Sequence, residues 1–107
     1  VRNGEPLTLQ GEDGLRLNPV HVSDVVRSVK VSLSLSGIQR INVAGPEIFS
    51  LREIASIIGD HLGREPVFDI KNEVPDSPEA LVGDISLMSQ LLGAPERAFP
   101  EGIRDLL

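Results

Sequence analysis

Apolar positions along the chain fall first into a period of two and then into a helical period. Leu7 and Leu9 alternate with polar neighbours, as do Leu15 and Leu17 beyond the turn-forming set Gly11-Glu12-Asp13-Gly14, and this pattern predicts a β-hairpin. Pro6 and Pro19 bound it, because proline cannot donate to a ladder and is confined to strand starts and edges. The period then changes. Val22, Val25, Val26, Val29 and Leu33 follow helical spacing, with Ser23 as the expected cap and Gly37 as the stop. A competing alternation at Val29, Val31, Leu33 and Leu35 weakens the second half of that helix. His21 falls between two valines and reads as a strand-edge residue with a hydrogen-bonded structural role.

Arg40-Ile41-Asn42-Val43 predicts a short buried strand, closed by Gly45-Pro46. Ser50 followed by Glu53 is a capping box, and Phe49 and Ile54 stand where a hydrophobic staple would place them. Leu51, Ile54, Ile57, Ile58 and Leu62 form one stripe, with His61 in the last turn and Gly63 beyond it, which predicts a helix over 51–62. His61 there reads as a helix-terminal cation. Pro66 opens a strand through Val67, Phe68 and Ile70, and 71–83 reads as an acidic, proline-bearing loop. Two short helices follow, Ser86 to Leu92 and Pro100 to Leu107, the second with proline at a tolerated first position. The order is that of a mixed α/β unit without internal repeats. Its strands and apolar helix faces want more sheet than the chain supplies.

Length adds that 107 residues fit one domain, so 1–107 is taken as a single region. With glycine counted, about half the residues are apolar, an ordinary globular composition. No apolar run approaches the roughly 20 residues of a membrane span, and none forms a signal-peptide core. The expectation is a soluble protein without membrane contact, with the cytoplasm as the default compartment. There is no Cys, Tyr or Trp, which removes thiolate chemistry, disulfides, phenol acid–base chemistry and indole stacking from these residues. The net charge of −6 and the absence of any basic cluster argue against a nucleic-acid partner. The imbalance lies in 65–107, so an anionic ligand would prefer the first part of the chain. Eight of the ten bases are Arg, whose planar fork suits carboxylate and phosphate, although most are expected on a solvated surface.

Motifs for specific chemistry fail one by one. Gly11 and Gly14 precede a strand and not a helix, so no helix N-terminus is there to receive a phosphate. Two His without a carboxylate in register make no zinc site, and no Ser sits in a strand–elbow–helix context. Asp24 opens the first helix and is expected to accept backbone N–H groups there rather than to act as an acid or base. No metal-binding residue is expected.

Four segments nevertheless resemble, in order, those of the NAD-dependent epimerase/dehydratase family, the extended short-chain dehydrogenases. Leu17-Asn18-Pro19-Val20-His21-Val22-Ser23-Asp24-Val25 resembles "pVHVxDV" and Ile41-Asn42-Val43-Ala44-Gly45 resembles "yNvgg". Ser50-Leu51-Arg52-Glu53-Ile54 with Leu62-Gly63-Arg64-Glu65-Pro66 resembles "slrEia…lGrep". Gly83-Asp84-Ile85-Ser86 with Leu91-Leu92-Gly93-Ala94-Pro95 resembles "aDiskar-LLGw-P".

The resemblance covers only the C-terminal, substrate-binding region of such an enzyme. It implies an N-terminal Rossmann domain on the same polypeptide, absent here, whose GxxGxxG loop and Tyr-x-x-x-Lys pair hold NAD or NADP and move the proton. Val1 as first residue fits a piece of a longer chain. Hydride transfer on a sugar or nucleotide-sugar substrate is implied for the whole protein. The 107 residues alone are expected to be inert and to bind no cofactor. Arg16, Asn18 and His21 are the candidate substrate contacts. Family members that take nucleotide sugars often carry an Arg four residues before the motif His, where this chain has Leu17. Arg16, one position earlier, would point to the opposite strand face. A second family Arg, before the acidic loop, has no counterpart in Glu73-Val74-Pro75-Asp76. The rival readings are a non-catalytic NAD(P)-sensing or protein-interaction module on the same scaffold and a free-standing acidic interaction domain. A homodimer is compatible with any of these.

Overall fold

The computed structural model describes residues 1–71 and 80–107. In chain order these form β1 (Leu7–Gln10), β2 (Arg16–Leu17), α1 (Val22–Ser32), β3 (Phe49–Ser50), α2 (Leu51–Leu62), β4 (Phe68–Lys71), β5 (Ala80–Leu81), α3 (Ser86–Leu91) and α4 (Phe99–Leu106). The mixed α/β class expected from the periodicities is the one observed.

The hairpin is not formed. β1 pairs in parallel with β4, Leu7 opposite Phe68 and Leu9 opposite Ile70, while β2 pairs antiparallel with β3 and parallel with β5. The reason is length. β2 offers only a two-residue ladder, whereas β4 offers four positions in register. Gly11 and Gly14 still turn the chain, both at positive φ, but they carry it from one sheet to the other. The strand expected at 40–43 is also absent, and this stretch is irregular. β3 and β5 carry two residues each, too few to show a period, and β5 lies within the stretch read as a loop. Of that loop, 72–79 lie outside the described residues.

α2 has the predicted bounds. Ser50 Oγ accepts the Glu53 N–H at 3.1 Å and Glu53 Oε1 accepts the Ser50 N–H at 3.1 Å, so two orphan donors are satisfied reciprocally. Gly63 ends the helix in the left-handed region, φ 67°. His61 Nδ1 lies 2.9 Å from the Ile57 carbonyl, within the last turn. Gly59 lies so close to Arg64 that a Cβ would overlap its carbonyl oxygen, which brings the chain back toward β4. Arg52 donates to the Glu12 carbonyl at 2.7 Å and covers the Phe68 ring at 4.4 Å, tying α2 to both the turn and β4. Phe49 meets Phe99 with centroids 5.5 Å apart, joining α2's entry to α4.

Only Leu9, Ala44, Ala55, Met88 and Leu92 are buried hydrophobic residues among those described, a small core for this length. The molecule is correspondingly thin, 16 Å along its shortest axis.

Candidate functional site

The candidate residues lie where β2 gives way to α1. Beyond Leu17 the chain passes through Asn18, Pro19 and Val20 without regular structure, and His21, extended at φ −74° and ψ 143°, is the N-cap of α1. This corrects two expectations. The cap is His21 and not Ser23, and His21 is not on a strand edge. Ser23 already lies inside the first turn, where its hydroxyl cannot reach the helix's leading N–H groups. Instead its own N–H donates to His21 Nδ1 at 3.0 Å, with Ser23 Oγ 2.7 Å from the same nitrogen. The His21 ring packs against α4 at Gly102, where a Cβ would stand 2.7 Å from its Cδ2.

Asn18 is a three-way tie. Its Nδ2 donates to the Gly83 carbonyl at 2.9 Å and its Oδ1 accepts the Gly83 N–H at 2.9 Å, which reproduces a strand bridge with a side chain. Its own carbonyl accepts the Gly45 N–H at 2.9 Å. Gly45 must be glycine, because a Cβ would overlap the Pro19 carbonyl oxygen. Both polar atoms of the Asn18 amide are therefore engaged with backbone. Arg16 is exposed on the central strand of the three-stranded sheet, opposite Ser50 and Ala80.

Asp24, 2 % exposed, accepts backbone N–H groups as expected, but not those of its own helix. Its two oxygens take the Glu96 N–H at 3.1 Å and the Arg97 N–H at 3.0 Å. Arg27, one turn on, completes the latch. It lies 3.3 Å from Asp24 and 2.6 Å from Glu96, and donates to the Ala94 carbonyl at 2.6 Å. Arg97, which sequence reasoning did not single out, pairs with Asp105 and lines a small cleft of about 70 Å³ together with His21, Phe99 and Gly102. An Arg within the segment that Asp24 fixes carries no motif that would have marked it.

The three candidates do not converge on one cavity. His21 lines the 70 Å³ cleft, whereas neither Arg16 nor Asn18 lines it or the two larger cavities of about 310 and 340 Å³. Among the described residues, no three His, Cys, Asp or Glu side chains gather in a way that could hold a metal ion. Among the described residues, no helix is long and apolar enough to cross a membrane. The glycine pair at 11 and 14 leads into β2, so these residues offer no helix N-terminus for a dinucleotide pyrophosphate and do not fit that group. At α3, the hydroxyl and backbone N–H of Ser86 hold the Asp84 carboxyl below its ordinary value.

No family model matches the sequence. Against curated proteins, the chain is 26 % identical over 102 residues to the dTDP-4-dehydro-6-deoxy-D-allose reductase of Streptomyces sp, covering 95 % of this chain and 31 % of that protein. Its fold matches UDP-glucuronic acid 4-epimerase from Bacillus cereus, solved with UDP-glucuronic acid and NAD, with a TM-score of 0.78 and 26 % identity over 94 % of this chain and 33 % of that one. UDP-glucose 4-epimerase of Thermus thermophilus, solved with NAD, gives a TM-score of 0.75 and 29 % identity over 97 % and 35 %. The chain thus spans about a third of the length of these proteins. In sequence and in fold it is similar to the C-terminal portion of the NAD-dependent epimerase/dehydratase enzymes, without their Rossmann domain.

Proposed function

We propose that these 107 residues are the substrate-binding portion of an NAD(P)-dependent epimerase/dehydratase-like enzyme acting on a sugar or nucleotide sugar, and are not catalytic alone. The supporting observation is the fold match over nearly the whole chain to the C-terminal third of UDP-sugar epimerases. NAD or NADP would be held, and the hydride and proton moved, by a Rossmann domain on the same polypeptide. The absence of any Tyr here agrees with that division.

Within this reading the site residues divide by what they touch. Arg16 is the substrate contact, an exposed cation on the central strand, suited to an anionic or polyhydroxyl group. Asn18, with both amide atoms engaged, shapes the floor by holding the Gly45 and Gly83 segments together. His21 presents its ring edge in the cleft beside Arg97, where it fixes the angle between α1 and α4. Leu17, in place of an Arg found in many nucleotide-sugar members, leaves the diphosphate without that contact, which favours a substrate with a single charged or polar group facing Arg16.

The test uses the product of the complete reading frame. It should bind NAD or NADP saturably and turn over a sugar or nucleotide sugar. Arg16→Ala should raise KM about tenfold, the loss of one contact of about 1.4 kcal/mol, with kcat little changed. A complete protein that binds no dinucleotide overturns the proposal and favours the interaction-module reading. An unchanged KM removes Arg16 from the site.

A further inference from the structure

The cap of α1 is a base. His21 Nδ1 accepts the Ser23 N–H at 3.0 Å and lies 2.7 Å from Ser23 Oγ. A backbone N–H can only donate, so Nδ1 holds a lone pair and the ring proton is on Nε2. The usual caps, Ser, Thr, Asn and Asp, go on accepting when the solution turns mildly acidic. Imidazole does not. Once it takes a second proton both ring nitrogens are donors, and the Ser23 N–H then faces a donor. The Ser23 hydroxyl can turn and accept from the new N–H, but the backbone amide has no such freedom.

The same ring sits in the joint between α1 and α4. It packs on Gly102, where a Cβ would stand 2.7 Å from its Cδ2, and it lines the cleft of about 70 Å³ with Arg97, Phe99 and Leu106. Its surroundings there are positive. They comprise the N-terminal end of α1's own dipole and the Arg97 guanidinium, whose buried Nε has no partner among the described residues. The carboxylates of the surrounding elements are committed. Asp24 gives both oxygens to the Glu96 and Arg97 N–H groups and faces Arg27, Glu96 pairs with Arg27, and Asp105 pairs with Arg97. The other charged residues of α4, Glu101 and Arg104, are exposed and do not line the cleft. A proton on Nδ1 thus removes a cap, adds a second cation to a cleft that holds one, and meets no uncommitted carboxylate.

We propose that His21 is a proton-operated switch: neutral, it caps α1 and seats α4, and protonated, it loosens the start of α1 and the docking of α4 together. Two connections carry the coupling. The ring holds the Ser23 amide through Nδ1 and Gly102 through its Cδ2 edge. Asp24, in the turn that the cap holds, ties residues 96 and 97, which lead into α4. The inference stands on this geometry and not on the enzymatic reading.

Imidazole NMR and amide hydrogen exchange on the product of the complete reading frame test it. At about pH 7.5 the His21 proton should be on Nε2. Between there and about pH 5.5, the protection of the Ser23, Val25, Arg97 and Gly102 amides, corrected for intrinsic exchange, should fall about tenfold in step with the ring's titration, the size of one lost cap. The Glu53 amide, held by Ser50 Oγ in α2, should not change. In His21→Asn, whose side chain caps without titrating, the fall should be absent. A proton on Nδ1 at the higher pH, a ring still neutral at the lower one, or an equal fall in His21→Asn overturns the proposal. A fall confined to Ser23 and Val25 overturns the coupling to α4. Should the variant not fold, the unsubstituted protein decides, because protection that holds steady while the ring titrates overturns the switch equally.

Discussion

Asp24 and Arg27 fasten the chain's last quarter to its first helix, and each does so through backbone groups. The Asp24 carboxylate satisfies two N–H groups and faces a guanidinium, so its removal leaves both donors and a partly buried cation short of an acceptor. Asp24→Ala should destabilise the protein by about 3 kcal/mol, read as a lower urea midpoint at an unchanged m-value. A change below about 1 kcal/mol would show that water replaces the carboxylate. That Asp24 binds backbone was legible from its residue type and place. Its partners were not, because they lie 72 and 73 positions away and periodicity carries no information over that distance. The cap at His21 was hidden for another reason. By residue type Ser23 is the better cap, and the helix nevertheless begins one residue past an extended His21.

α2, whose signals are all local, was read correctly, whereas α1 starts at a His21 cap and ends at Ser32 instead of running from Ser23 to a stop at Gly37, and the observed strand pairings were not read at all. α2 is legible because Ser50, Glu53, its stripe and Gly63 all agree, and the same agreement makes it testable. Ser50→Ala should cost about 0.5–2 kcal/mol, seen as a lower melting midpoint. Glu53→Gln should retain most of the stability, since the amide oxygen still reaches the Ser50 N–H. At α3 the lever is pH. The folded Asp84 carboxyl titrates below its ordinary 3.8, so its contribution is present above the unfolded value and is lost as pH falls through the folded one. Its carboxyl carbon resonance should titrate below 3.8, and the loss of α3 stability expected on acidification should be absent in Asp84→Asn. The hairpin failed because alternation identifies a strand but not its neighbour. Leu7 and Leu9 suit β4 as well as they would suit β2, and the longer ladder prevails.

At the scale of the molecule, the sequence patterns contained more strand and more apolar helix face than one thin unit can use. The irregular 40–43 and the exposed Val22, Val26, Val29 and Leu33 of α1 are where that surplus ended up. The resemblance of four ordered segments located the fold before any contact was known, whereas the site was only partly legible. His21 lines a cleft that Arg16 does not line, and the tie made by Asn18 depends on two glycines far along the chain. Those ties have a consequence for biosynthesis. Asn18 leaves the ribosome 65 positions before Gly83, and Asp24 72 before Glu96, an interval of roughly 3–15 s at ordinary elongation rates. Throughout it the amide and the carboxylate remain hydrated, and the nascent chain can close around them only once Gly83, Glu96 and Arg97 have emerged.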